Sequence, residues 1–573
     1  MTWSDRPARG WFSLLSDVVV LTLAALFVWF CSVAWHGMSQ PINSNAEVTL
    51  DAANLPYYSS RTTMRFLLGL VCSTLFSFSL SVLAARYTPM RRIILPFIDF
   101  VQSVPLVGFM TFTTAFFLNL FPNNTMGMEA AAVFAVFTGQ TWNMMLSLYQ
   151  TIKVVPQDLR DVADSFNYNA WQRFWRLEWP YSAPGFLWNV INSQTAAWFA
   201  LVASEAIPAA KGGTVLLPGI GSYVSVALRQ GSVPGIAWAF IALALNVVLT
   251  DQLVFRPLVR YTIRFKNDNT SSRRDGLHRS WLYDCLRASS IAQGAVQPLR
   301  AVVRFWLFQL PKAWYALHLH RVTATLARLN QLWATLWYAG LATAGVYVGY
   351  KLWTIYPKDS FDVLPWWMLE TVSRVLLAIV LSMLLFVPIG VWLARAPRRL
   401  AIAQPVVQIL AAMPSNIYYP IIAFFVTTRH QSHGWWTIPM IMAGTQWYYL
   451  FNTIGGTLAI PNHITDVSRS FGLRGKAWWR LYMLPSIYPY LVTGTIAAVG
   501  GAWNAAIAAE VMQWGSQTVH ASGLGAYISQ AMDRGDEGAV ALGCSAMCLM
   551  VGIVFVFVWR PLHRFAEHRY RHD

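Results

Sequence analysis

The chain has 573 residues, of which 56% are hydrophobic and 12% charged, with 42 Lys and Arg against 25 Asp and Glu for a net charge of +17. Soluble domains carry about 25% charged residues, so a water-solvated globular protein is excluded and lipid is the expected solvent. The positive excess does not indicate a nucleic-acid partner, because the basic residues fall in every second loop and not along one soluble face.

Taken in chain order, the apolar residues gather in blocks of about 18 to 25, long enough as helices to cross a hydrocarbon core of ~30 Å. The first block, 18–35, follows Arg6 and Arg9, but Ala34-Trp35-His36 offers no small-x-small cleavage site, so it is expected to stay as a helix. Further spans are expected at 62–85, 96–121, 128–150, 185–206 and 234–256. A second set follows at 333–353, 371–394, 405–428, 435–453, 490–512 and 539–559. The predicted fold class is therefore all-α: a polytopic membrane protein of about twelve transmembrane helices, arranged as two parallel six-helix repeats. The halves are expected at 1–260 and 331–573, with a linker at 261–330.

Arg91 and Arg92, then Arg160, Arg173 and Arg176, then the stretch after Arg256 share one side with the N-terminus, and Arg560, Arg564, Arg569 and Arg571 return to it. By the positive-inside rule both termini are cytoplasmic. From Arg260 to Asn330 there are twelve Lys or Arg against three Asp or Glu. The aromatics of that stretch, Trp281, Trp306, Phe308, Trp314 and Tyr315, suit either interfacial helices or a solvated basic linker. Cys31, Cys72, Cys544 and Cys548 fall in apolar spans and Cys285 in the linker, so no disulfide framework is expected. His430 and His433 lack a third nearby ligand, so no metal site is expected.

Many residues recur about 305 positions later. Thr62, Arg65, Arg86, Pro96 and Pro105 return as Thr371, Arg374, Arg395, Pro405 and Pro414. Trp142, Pro156, Asp161, Pro180, Trp198 and Glu205 return as Trp447, Pro461, Asp466, Pro485, Trp503 and Glu510. Composition bias aligns aromatics but does not keep prolines, glycines and charges in order across five loops, so the halves are a duplication. Each copy begins on the same side, which predicts a pseudo-two-fold axis along the membrane normal and a pathway between the halves.

The loop after each fourth span, Pro156 to Pro184 and Pro461 to Pro489, is long, charged and cytoplasmic by topology. In both, an acidic residue (Asp161, Asp466) begins a short helix and the sixth residue beyond it (Asn167, Gly472) permits a left-handed turn. An amphipathic stretch follows and a proline (Pro180, Pro485) ends the unit. These loops resemble those of the binding-protein-dependent ABC importer permeases, which read Glu-Ala-Ala, three residues, Gly and, after a spacer, Ile-x-Leu-Pro. The chain keeps Ala163, Gly472, Leu484, Pro180 and Pro485. It departs with Asp for Glu in both copies, Val for the first Ala, Ser468 for the second and Asn167 in place of Gly.

The resemblance implies that Asp161 to Trp171 and Asp466 to Lys476 dock on two separate ATP-binding subunits, and that an extracytoplasmic solute-binding protein delivers substrate. It also implies that ATP and magnesium belong to those subunits. The chain itself has no G-x-x-x-x-G-K-[ST] loop, so no catalytic residue and no bound cofactor are expected in it. Besides these partners it should meet lipid and no nucleic acid, in a bacterial inner membrane. Gly500-Gly-Ala-Trp-Asn-Ala-Ala-Ile-Ala-Ala-Glu510 resembles the nitrate, sulfonate and taurine branch, which implies a small anionic substrate.

Ionisable groups in spans are costly and usually functional or paired, which singles out Glu205 and Glu510 as pathway or gate residues or as polar contacts. Asn192, Gln194, Thr195, Thr495 and Asn504 on the fifth spans and Gln140, Asn143 and Gln446 on the fourth are expected either to line a polar passage or to join helices. Gly219 and Gly221, with Gly523 and Gly525, are expected at an outer gate or in re-entrant turns. The competing reading is a twelve-span secondary transporter driven by an ion gradient, which predicts the same duplication but no paired docking loops.

Overall fold

The computed structural model describes residues 11–38, 48–102, 106–122, 124–209, 213–263, 265, 280–298, 302, 305, 330–355, 358–413, 419, 422, 426, 434–460, 462–514, 517–559 and 561. The expected all-α architecture is present. In the first half the long apolar blocks become α1 (Trp11–Met38), α2 (Leu55–Arg86), α3 (Thr88–Val101), α4 (Leu106–Leu120) and α5 (Met126–Lys153). The block read as one span at 96–121 is thus two helices, with 103–105 outside the described residues.

After α5 come the short α6 (Gln157–Ser165) and α7 (Ala170–Arg173), then α8 (Trp179–Glu205). A hairpin of β1 (Ala206–Ala209) and β2 (Gly213–Leu216), which sequence patterning did not single out, leads to α9 (Ile220–Arg229), α10 (Val233–Thr250) and α11 (Arg256–Ile263). Of the linker, α12 (Trp281–Ala288) and a helical stretch at 290–298 are described. Both are tied to α1. Ser289 and Ser290 donate hydroxyls to Asp17 at 2.5 and 2.7 Å, and Ser13 donates to the carbonyl of Ala288 at 3.2 Å. Trp306, Phe308, Trp314 and Tyr315 lie outside the described residues.

The second half repeats the order: α13 (Asn330–Ile355), α14 (Lys358–Ala394), α15 (Pro397–Ala412), α16 (Thr437–Ala459), α17 (Asn462–Ser470), α18 (Gly475–Trp478) and α19 (Leu484–Ala509). The hairpin of β3 (Val511–Trp514) and β4 (Gln517–His520) follows, then α20 (Leu524–Asp533) and α21 (Glu537–Val554). The span read as 490–512 therefore ends at Ala509, where the chain turns into a strand. Much of 405–428 and both His430 and His433 lie outside the described residues.

Six described helical segments are long and apolar enough to cross a membrane: Ser13–Val33, Ala52–Arg86, Val233–Thr262, Val363–Ala394, Gly475–Ala509 and Gly538–Val558. Helices α5 and α16 are more polar because they sit inside. α5 packs between α2 and α8, and α16 between α14 and α19, so much of their surface meets protein instead of lipid. Each trio forms the core of its half, with Phe66 stacked on the buried Trp198 at 4.4 Å between ring centres. Serine oxygens bind neighbouring carbonyls along the α2–α5 seam, Ser77 to Thr141 and Ser81 to Met145 at 3.2 and 2.8 Å, as expected where small polar residues let spans approach closely.

Four π-helical turns occur at matched places: Phe174–Glu178, Asp251–Phe255, Trp479–Met483 and Phe555–Trp559. Each lies just before Pro180, Pro257, Pro485 or Pro561. A proline has no N–H for the carbonyl four residues back, and a one-residue widening of the turn accommodates it.

Candidate functional site

Three regions of each half hold the functional candidates, and they lie at different heights along α8 and α19. At the loop end stand α6 and α17. Each stops on a left-handed residue, Asn167 at φ 50° and Gly472 at φ 60°. The amides that follow close the same motif twice. Asn167 and Tyr168 donate to the carbonyls of Asp164 and Ala163 at 2.9 and 3.1 Å; Gly472 and Leu473 donate to those of Arg469 and Ser468 at 2.9 and 3.2 Å. This is the glycine-type helix stop, in which an Asn also tolerates the left-handed conformation.

The inward faces of these helices carry Ala163 and Ser468, both buried. The outward faces carry Val162 and Phe166, and Val467 and Phe471, exposed by 52%, 68%, 50% and 77%. Asp161 accepts a hydrogen bond from Gln157 at 2.8 Å, and Asp466 pairs with Arg469 at 3.4 Å. Pro180 and Pro485, with Leu484, lie at the start of α8 and α19, immediately after the π-helical turns.

At mid-height a cavity of about 80 Å³ lies between the halves, bordered by α3, α5 and α8 on one side and by α16 and α19 on the other. That is room for several waters. Its polar lining comes from Gln102, Thr138, Asn143, Thr195, Tyr448 and Asn504, and none of the described lining residues is charged. Gln102 Nε2 is buried without a hydrogen-bond partner among the described residues. A smaller cleft joins Gln194 and Thr195 to Ile409, Ala411 and Phe451 of the second half. Of the expected passage residues, Asn143, Thr195 and Asn504 therefore border the central cavity and Gln194 borders the cleft. Asn192 is buried within the first half. Gln140 donates to Ser73 at 3.2 Å and so joins α5 to α2, whereas Thr495 donates to the carbonyl of Leu491 at 2.7 Å, one turn back in its own helix. Gln446 does not border the central cavity.

At the hairpin end, Glu205 and Glu510 are fully buried and border neither space. Each forms a clasp. Glu205 accepts from Thr62 Oγ1 at 2.7 Å, from Arg65 Nη1 at 2.6 Å and from the Gly221 amide at 2.6 Å, while Thr62 accepts from the Ile220 amide at 3.0 Å. Glu510 accepts from Thr371 Oγ1 at 2.8 Å and from the Gly525 amide at 2.7 Å, while Thr371 accepts from the Leu524 amide at 3.0 Å. A carboxylate thus satisfies orphan amides at the N-terminus of α9 or α20, where negative charge is favoured, and ties that helix to the second span. The glycines follow from close approach: a Cβ on Gly219 or Gly523 would collide with the glutamate carboxyl group, and one on Gly221 or Gly525 with the backbone of α8 or α19.

Arg61, Arg65 and Glu129 are the residues that sequence reasoning missed. Arg65 donates its Nε and Nη2 to Glu129 at 2.5 and 2.6 Å, and Arg61 pairs with the same carboxylate. Two arginines and two glutamates so balance their charges in a buried site. The rule that flagged Glu205, an ionisable group in an apolar segment, applies equally to Glu129. The second clasp is leaner. Arg374 lies 3.5 Å from Glu510, contacts Glu370 at 3.3 Å and donates to the carbonyl of Ser522.

Known proteins resemble this chain over part of its length. It is 29% identical over 136 residues to the nitrate import permease protein NrtB of Synechococcus elongatus, covering 24% of this chain and 45% of the relative. It is 27% identical over 165 residues to the bicarbonate transport system permease protein CmpB of Synechocystis, covering 29% and 58%. It is also 27% identical over 180 residues to the glycine betaine/proline betaine transport system permease protein ProW of Escherichia coli, covering 30% and 47%. The chain thus spans about half the length of these relatives. The sequence profile of the binding-protein-dependent transport system inner membrane components matches twice, at residues 77–254 and 386–572, and the chain belongs to that family as a multi-pass inner-membrane protein with two permease units in one polypeptide.

Proposed function

We propose that the chain forms the whole translocation pathway of an ATP-driven importer and couples to two ATP-binding subunits through α6 and α17. The observation that carries this reading is the pair of short helices, each stopped by a left-handed residue and each presenting an exposed valine and phenylalanine. Movement of a compact docking helix reaches α8 or α19 through a few residues, since α7 and α18 run by way of the π-helical turns into those spans. ATP and magnesium belong to the docked subunits. An extracytoplasmic solute-binding protein meets the hairpin end, and both termini face the cytoplasm. The natural division of labour is 1–260 and 331–573 as permease halves with 261–330 as a cytoplasmic linker.

The substrate is a small solute, and a small oxyanion suits the cavity best. Relatives import nitrate and bicarbonate by name, and the walls offer neutral amide and hydroxyl donors without a fixed charge to trap an anion. The test is uptake in vesicles holding the chain, its ATPase subunits and its binding protein. ATP should drive nitrate accumulation, and Asn504→Leu should reduce it while leaving the assembly intact. Accumulation driven by an ion gradient without the ATPase subunits would establish a secondary transporter instead.

A further inference from the structure

A second, larger space lies at the loop end of the second half, apart from the cavity between the halves. It measures about 920 Å³, is open on one side, and is bordered by the ends of α14 and α16, the start of α15, the inward side of α17, α18 and the π-helical turn that follows it. Four arginines border it, Arg395, Arg399, Arg469 and Arg474, and the described lining residues include no carboxylate.

The first half holds a charge-paired version of the same place. Arg86, the counterpart of Arg395, pairs with Glu178 at 3.0 Å, and Arg173 pairs with Asp164. At the equivalent places the second half has Met483 for Glu178 and Arg469 for Asp164. Both neutralising carboxylates are gone and one has become a cation. What remains is weak compensation. Arg395 lies over the Trp478 ring at 4.7 Å, and Arg399 over the Trp392 ring at 4.4 Å. Arg469 meets Asp466 at 3.4 Å with both side chains more than two-thirds exposed, where solvent screens the pair.

We infer that this space holds the phosphate headgroup of an anionic diacyl phospholipid, bound between α14, α17 and α18. The arginines supply charge-assisted donors for phosphate oxygens. Trp392, Trp478 and Trp479 are the amphipathic rings that settle at headgroup depth, and the space sits where spans end. A free phosphate would occupy only a fraction of it. The acyl chains have a continuation as well: Leu385, Ile389 and Trp392 form one exposed stripe on α14, at 53%, 41% and 56%, leading to the mouth. Basic pockets between spans at this level are the usual seats of anionic headgroups. The exposed apolar side of α17 stays free for docking, because the space is on its opposite side.

The test is native mass spectrometry of the full chain in detergent, titrated with phosphatidylglycerol or phosphatidylcholine, with and without inorganic phosphate. Tight retention of one phosphatidylglycerol, not competed by phosphate, is expected. Each arginine neutralised should weaken it about fivefold, so Arg395→Gln with Arg399→Gln should lose most of it. Met483→Glu restores the first half's carboxylate and should weaken binding with every arginine in place. Arg86→Gln in the first half should leave retention unchanged. Equal retention of the two lipids, undiminished binding in folded Arg395→Gln/Arg399→Gln and Met483→Glu variants, or displacement by inorganic phosphate would each overturn the lipid site, the last in favour of a soluble oxyanion.

Discussion

Arg65 has no solvent exposure and holds two carboxylates at once, one from the fourth span and one from the end of the fifth. Removing one partner of such a network leaves a buried charge uncompensated, which costs on the order of 3–5 kcal/mol. Arg65→Ala should therefore sharply lower the thermal unfolding temperature of the detergent-solubilised chain. Arg374→Ala should lower it less, since Arg374 is 13% exposed and lies 3.5 Å from Glu510. Equal losses in the two variants would mean that the clasps are equivalent despite their different geometry. Glu510→Gln keeps the shape and the amide contacts but loses full charge, and it should leave the ATPase subunits attached on purification, because the clasp is at the end opposite the docking helices. Glu205 and Glu510 were visible in the sequence as costly groups at equivalent places; their partners were not. A repeat offset pairs a residue with its copy and says nothing of what packs against it across 64 or 140 positions.

Among the elements, the short loop helices α6 and α17, proposed above to dock the ATP-binding subunits, follow most directly from local chemistry. An acidic residue, a turn-permitting residue six later and a proline at fixed spacing point to both loops, and the left-handed stops occur at Asn167 and Gly472, but each helix begins four residues before its aspartate, at Gln157 and Asn462, so Asp161 and Asp466 lie within the helices and do not begin them. Gly472→Val should cost on the order of 1–2 kcal/mol by forcing a β-branched residue into that region. Stimulated ATP hydrolysis and uptake in reconstituted vesicles should fall together, with binding-protein affinity kept. Asn167→Gly should be tolerated. The π-helical turns offer a separate handle: Pro485→Ala returns the missing N–H and removes the reason for the widened turn, which changes the rotation of α18 against α19. Uptake by that variant should fall while its yield and detergent stability hold. The hairpins escaped sequence reasoning because four-residue strands give too short a period to read, and the two helices within 96–121 did so because the apolar run there is nearly continuous in sequence.

At the scale of the whole molecule, the duplication was legible and the meeting of its halves was not. Periodicity gives the spans, yet the cavity depends on which faces of α5, α8, α16 and α19 come together. Topology is testable without structure: a cysteine placed at Asn269 should react with an impermeant thiol reagent only after cells are opened. Labelling from outside would invert the orientation.

The two clasps and the two loop ends share a plan but differ in charge. A dimer of identical permeases must accept every substitution twice, so exchanging Asp164 for an arginine would load both flanks of the assembly at once. Here the counterpart, Arg469, occurs once, opposite a flank that keeps its Asp164–Arg173 pair. Covalent fusion releases each position from symmetry, so one flank can specialise for a ligand while its twin keeps charge-paired packing.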